Sequence, residues 1–137
     1  MANLEALFQA ARLAMARTYS PYSKFPVGAA IISESGAVYT GCNIENASFP
    51  EGWCAETSAI SQMIGAGDKR IAHILVTAEK MDLCSPCGGC RQRIAEFADG
   101  NTKIHLCDEN GVAKTLTMAE LLPAGFDLDK PACVKSR

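Results

Sequence analysis

The sequence predicts an α/β fold in which a five-stranded mixed sheet carries helices packed against it. Stretches with apolar residues at three- and four-residue steps alternate with short β-branched runs, in the order α-β-β-α-β-α-β-β-α. Two pairs of these runs meet at turns short enough for hairpins. The 137 residues are 48% hydrophobic and 20% charged, which suffices for a buried core and is too apolar for a disordered chain. No internal repeat, low-complexity tract or linker divides them, so one domain over 1–137 is expected.

Residues 2–18 place Leu4, Phe8, Ala11 and Met15 on one helical face, and Tyr19-Ser20-Pro21-Tyr22-Ser23 ends that helix. Val27 to Ser33 is a small, apolar strand, and Glu34-Ser35-Gly36 turns it into a second strand, Ala37 to Cys42. Asn43 to Trp53, with Pro50 and Gly52, is a polar loop. Cys54 to Gly65 is a helix whose apolar face is Ala55, Ala59, Ile60 and Met63, closed by Gly65-Ala66-Gly67. His73 to Ala78 is the third strand; after Pro86, Cys87 to Ala98 is a helix stopped by Asp99-Gly100-Asn101. Lys103 to Cys107 and Val112 to Leu116 flank the turn Asp108-Glu109-Asn110-Gly111. Thr117 then caps a short helix ending at Pro123.

Lys and Arg total 13 against 15 Asp and Glu, a net charge of -2, and the basic residues are scattered. That distribution argues against a nucleic-acid partner. No segment approaches the roughly 20 apolar residues of a membrane span. Met1-Ala2-Asn3-Leu4-Glu5 lacks the basic and apolar regions of a signal peptide, so a soluble cytoplasmic protein without a membrane partner is expected. Cysteine is the outlier, at Cys42, Cys54, Cys84, Cys87, Cys90, Cys107 and Cys133. An odd number without an export signal fits reduced thiols, some of them metal ligands, better than a disulfide framework.

Pro86-Cys87-Gly88-Gly89-Cys90 sets two thiols three residues apart at the start of a helix, where exposed N–H groups and the helix dipole favour thiolates. Such a pair suits a redox couple, an iron–sulfur fragment or half a zinc site. Cys54-Ala55-Glu56 opens the other strong helix. Two helix N-termini meeting at one ion would supply three sulfurs and leave a fourth position for water, as in a catalytic zinc site. Glu56 points elsewhere on the turn and is placed to exchange protons rather than to ligate.

Here the sequence resembles the short, homotetrameric form of cytidine deaminase over nearly its whole length. The resemblance rests on Tyr19-Ser20-Pro21-Tyr22-Ser23-Lys24-Phe25, Val27-Gly28-Ala29-Ala30, Gly41-Cys42-Asn43-Ile44-Glu45-Asn46-Ala47, Cys54-Ala55-Glu56, Pro86-Cys87-Gly88-Gly89-Cys90-Arg91-Gln92 and Leu121-Leu122-Pro123. It implies a three-layer α-β-α fold and hydrolytic conversion of cytidine and deoxycytidine to uridine and deoxyuridine with release of ammonia, a step of pyrimidine salvage. It implies one Zn²⁺ per chain held by Cys54, Cys87 and Cys90, with Glu56 shuttling protons between water, N3 and the departing amino group. Asn43 and Glu45 match the pair that binds the ribose, and Phe25 matches a residue lining the nucleoside pocket. Ala55 is carried over as a substrate contact, and Phe126 matches a phenylalanine reaching the base from a neighbouring subunit. A homotetramer with shared pockets is implied.

Two positions depart from the family. Thr57 stands where relatives commonly carry Arg beside the catalytic Glu, which leaves Arg91 and the two helix N-termini to offset three thiolates. Phe49 stands where relatives often carry Tyr. Among rival readings, Cys84-x-x-Cys87-x-x-Cys90 begins like an iron–sulfur run, but Ile94 occupies the place of the next cysteine. Cys84 or Cys42 completing a closed structural zinc site would make the chain an interaction module, whereas a cytosine-containing antibiotic or a polynucleotide would keep the chemistry and change the substrate. Otherwise Cys42, Cys84, Cys107 and Cys133 are expected as unliganded thiols, His73 and His105 as structural or exposed, and Gly88-Gly89 as room for close backbone approach. Trp53 suits a pocket wall or a subunit interface.

Overall fold

Strands β1 (Val27–Ser33), β2 (Val38–Cys42), β3 (Ile71–Ala78), β4 (Lys103–Asp108) and β5 (Gly111–Thr117) form one sheet in the order β2-β1-β3-β4-β5. The structure is a computed structural model that describes residues 2–128, so Cys133 lies outside the described residues. Every neighbouring pair is antiparallel except β3 and β4. A parallel pair needs a crossover, and α3 (Gly88–Glu96) supplies it.

Alternate residues of β1 feed opposite faces. Ala29 and Ile31 join Ala59 and Met63 of α2 (Ala55–Gly65), Ile94 of α3 and Leu121 of α4 (Met118–Leu121) in one core. Ala30 joins Leu75 and Cys107 beneath Leu7, Phe8 and Ala11 of α1 (Leu4–Met15) in the other. Strand β1 is thus buried on both sides, which is why it is a continuous apolar run rather than an alternating one.

The elements match the expected order, and their ends move for identifiable reasons. Asn3 caps α1 by accepting from the Ala6 N–H at 3.0 Å, so that helix runs from Leu4 to Met15 rather than over 2–18. Strand β3 starts at Ile71, before the His73 expected, because Ile71 pairs with Ser33 across a register shift and donates to the Phe97 carbonyl at 2.8 Å. Cys54 and Cys87 are extended N-caps, so α2 and α3 each begin one residue later. The loop after β2 contains a 3-10 turn at Phe49–Glu51 led by Pro50. Thr117 and Glu120 form the expected capping box, but α4 ends at Leu121 instead of Pro123. Pro123 excludes helical geometry at the residue before it, and Leu122 accordingly sits at φ -137 and ψ 75.

His73 and His105 are structural. His73 Nδ1 lies 2.9 Å from His105 Nε2, and His105 Nδ1 lies 2.8 Å from Thr115 Oγ1, a chain running across β3, β4 and β5. Burial pulls the His105 pKa down to about 4, so both rings hold the sheet as neutral partners.

Gly41 fixes where α2 sits. A Cβ there would lie 2.5 Å from the Ala59 nitrogen and 2.6 Å from the Ala55 oxygen, so the helix backbone rests directly on β2. Ser58 Oγ adds a bond to the Cys42 carbonyl at 3.0 Å. Gly41→Ala is therefore expected to cost about 1–3 kcal/mol by overpacking, seen as a lower urea midpoint with an unchanged slope.

Candidate active site

The start of β1 pairs with the ends of β2 and β3, at Gly28↔Cys42 and Val27↔Ala78. Since α2 follows β2 and α3 follows β3, both helices begin at that end of the sheet. Cys54 and Cys87 are their N-caps, with extended backbones at ψ 159 and ψ 169, and neither sulfur is used in capping. Cys90 is buried one turn into α3. The three sulfurs all lie within 4.8 Å of one another, and among the described residues no other such group forms. A tetrahedral zinc with Zn–S bonds of about 2.3 Å would space its sulfurs about 3.8 Å apart, so the three thiols fit it with little movement.

The electrostatics of the group match that fit. A hydrogen bond with Cys90 pulls the Cys54 pKa below its ordinary value. The same bond pushes Cys90 up, helped by burial and by the charges of Glu56 and Cys54. Sulfurs this close oppose one another's ionisation, and a dication relieves that opposition. Glu56, in the first turn of α2, is only 4% exposed. Burial raises its pKa against the opposing pull of its own backbone N–H and of Arg93. A carboxyl held toward its neutral form beside a metal site is suited to carrying protons at neutral pH.

The arginine at the sulfurs is a different one from that expected. Arg91 turns away: its Nε donates to the Pro86 carbonyl at 2.9 Å, Nη1 to the Leu121 carbonyl at 2.7 Å and Nη2 to Ser85 Oγ at 2.8 Å. These bonds tie the cysteine loop to α4. Arg93 Nη1 instead approaches Cys90 Sγ at 3.8 Å, and Thr57 Oγ1 lies 3.7 Å from the same sulfur. A Cβ on Gly88 would meet no protein atom within 4 Å, while one on Gly89 would meet the Arg93 guanidinium. Cys84 stays outside the sulfur group, its pKa raised by burial and then by the nearby charges of Glu56 and Cys87. Cys107 is a buried thiol pushed up to about 12, chiefly by burial, and Cys42 Sγ contacts the Arg17 carbonyl.

Asn43 and Glu45 project to the same side, onto the segment leading into β1. Asn43 Oδ1 accepts from the Val27 N–H at 3.0 Å and from Thr18 Oγ1, while its Nδ2 donates to the Phe25 carbonyl at 2.8 Å. Glu45 accepts from the N–H groups of Tyr22 and Ser23 at 2.9 and 3.1 Å and from the Ser23 hydroxyl, and these bonds lower its pKa. Tyr22, Ser23, Glu45, Asn46, Phe49 and Gly52 line a cleft of about 370 Å³. The cysteines and Phe25 are not among its lining residues. Sequence reasoning missed Tyr22, Ser23 and Asn46 as wall residues; Phe49 stacks at a tilt on Tyr22 with ring centroids 5.9 Å apart. Ala55 is fully buried and packs in the core with Ala29, Ala59 and Met63. Phe126 stands 71% exposed, its carbonyl accepting from Gln92 Nε2 at 3.1 Å, two residues beyond Cys90 on the same helix.

Known proteins resemble this chain in sequence and fold. The family model described as the cytidine and deoxycytidylate deaminase zinc-binding region matches residues 1–106. A cytidine deaminase of Sporosarcina psychrophila is 40% identical over 124 residues, which cover 90% of this chain and 91% of that protein. One from Halalkalibacterium halodurans is 41% identical over 108 residues, 79% of this chain and 82% of its own. The crystal structure of cytidine deaminase from Burkholderia pseudomallei superposes with a TM-score of 0.85 at 36% identity, covering 91% of this chain and all of that one. With a mixed five-stranded sheet, three converging thiols and a matching family model, the chain belongs to the zinc-dependent cytidine deaminase family.

Proposed function

We propose that this chain hydrolyses cytidine and deoxycytidine to uridine and deoxyuridine, with zinc held by Cys54, Cys87 and Cys90 and protons carried by Glu56. The observation that carries this reading is the convergence of three sulfurs from two helix N-termini beside one buried carboxyl. Zinc bound there would act as a Lewis acid and bring the pKa of a water toward 7. Glu56 would take a proton from the attacking water and deliver it to pyrimidine N3 as the water oxygen adds at C4. It would then take the proton of the new C4 hydroxyl and pass it to the amino group, so that the C–N bond breaks, ammonia leaves and the C4 carbonyl forms. Burial keeps the carboxyl ready to hold a proton between these steps.

Asn43 and Glu45 have a second task in this reading, binding the ribose. Asn43 uses one Nδ2 hydrogen on Phe25 and retains the other, and Glu45 is kept anionic and fixed in direction by Ser23 and Tyr22. A net charge of -2 without a basic groove favours a free nucleoside over a polynucleotide. Because three free thiols must stay reduced, the reading places the reaction, as part of pyrimidine salvage, in the cytoplasm. No helix among the described residues is long and apolar enough to cross a membrane. We further propose a homotetramer with shared pockets. Phe49 is 74% exposed in the wall of an open cleft, and Phe126 projects from the chain. Nucleoside sites normally bury most of their ligand, so a neighbouring chain is the natural source of the missing wall.

Three measurements test these assignments. Cys87→Ala is expected to lose most of its zinc, while Cys84→Ser keeps zinc and turnover within a few-fold; metal analysis beside an ammonia-release assay on cytidine reads both. Full zinc in the Cys87 variant would remove the ligand assignment. Glu56→Gln is expected to retain zinc and fold while turnover falls by at least roughly 10²–10⁴-fold. For the assembly, an inactive Glu56→Gln chain is mixed with a Phe126→Ala chain under conditions that exchange subunits. Activity above both parents shows that Phe126 acts across chains; no gain after verified exchange places each pocket within one chain.

A further inference from the structure

Helix α3 carries Arg91 and Arg93, and only the second meets the sulfurs. Residues three apart share a helix face, so Arg93 lies over the turn that holds Cys90, with Nη1 3.8 Å from its sulfur. The path is open because position 89 has no side chain. A Cβ on Gly89 would stand 3.2 Å from Arg93 Nη1 and 3.7 Å from Cζ, so any side chain there would crowd the guanidinium. On the other side, Thr57 Oγ1 reaches the same sulfur at 3.7 Å but brings no charge. Arg91 is occupied by three neutral oxygens at the loop and α4.

Three thiolates around a divalent ion leave one excess negative charge. A cation on one thiolate draws electron density away from the metal–sulfur bond and leaves the ion a stronger Lewis acid. We propose that Arg93 is the positioning residue that compensates the three-thiolate site, acting on Cys90 across the gap that Gly89 leaves. This rests on the reading that Cys54, Cys87 and Cys90 bind the metal. Arg93 touches neither substrate nor water in this role; it acts through the sulfur.

The test replaces zinc with cobalt(II), whose sulfur-to-metal charge-transfer band reports the electron density on the thiolates. Arg93→Gln and Arg93→Met both remove the charge, so one folded variant is enough. In either, the band is expected to move to longer wavelength, and kcat of the zinc form to fall roughly 10–100-fold, with KM for cytidine changed less than kcat. Adding Thr57→Arg to the Arg93→Gln chain returns a cation to the same sulfur from α2, and should move band and kcat back toward their original values. An unmoved band in a folded charge-free variant overturns the proposal. So does a fall in kcat that leaves the band in place and is not recovered by Thr57→Arg, since a merely structural arginine would behave that way. The absence of any such band in the unaltered cobalt protein would instead overturn the three-cysteine reading.

Discussion

The mutual repulsion of three thiols gathered within 4.8 Å is the constraint to which the rest of the structure answers. Two helix N-termini point at the group, each contributing a partial positive charge of roughly half a unit. They can do so only because β2 and β3 end side by side, flanking the start of β1. Gly41 lets α2 descend onto the sheet so that Cys54 and Glu56 stand at the proper height. Arg91 anchors the second helix and its cysteine loop to α4 from outside. The fold thus brings positive charge to a place where the sequence has concentrated negative charge.

The same end of the sheet is organised by side chains that replace secondary structure. Between α1 and β1 the chain has little regular structure, and Asn43 and Glu45 supply what a strand partner would. Asn43 satisfies an N–H and a carbonyl of the incoming segment, and Glu45 satisfies two successive N–H groups. Tyr19 and Ile44 add a parallel bridge between the two stretches, and Trp53 closes on Ile44. The proposed sugar ligands are therefore rigid before any ligand arrives, since moving either would orphan backbone groups. Such preorganisation lowers the entropy lost on binding.

Much of this was legible in the sequence because it depends on local pattern. Apolar spacing marked α1 and α2, β-branched runs marked the strands, and the paired cysteines marked the ends of helices that a metal could join. What escaped depends on three-dimensional neighbours. The early start of β3 comes from the pairing of Ile71 with Ser33 and from the Phe97 carbonyl, neither adjacent in the chain. Arg91 and Arg93 are indistinguishable by composition, and only the direction of each side chain separates a loop anchor from a sulfur neighbour. A helical wheel could have flagged Arg93, three residues from Cys90, but not the space over Gly89. Tyr22 and Ser23 escaped as wall residues because they enter the cleft through Glu45, which holds the Tyr22–Ser23 turn in place.

The chain of rings from His73 through His105 to Thr115 makes the far side of the sheet sensitive to acid. In the unfolded chain His105 takes up a proton near its ordinary value of 6.5, whereas in the fold it resists until about 4. Between those values the unfolded state binds more protons, so acid draws the equilibrium toward unfolding. A protonated His105 would also turn two donor nitrogens toward neighbours arranged for a neutral ring. The acid limb of a pH–rate profile then has two origins on opposite faces of the sheet, the carboxyl chemistry of Glu56 and the loosening of β3, β4 and β5. A far-ultraviolet circular dichroism titration over the same range separates them, because only the second alters the backbone.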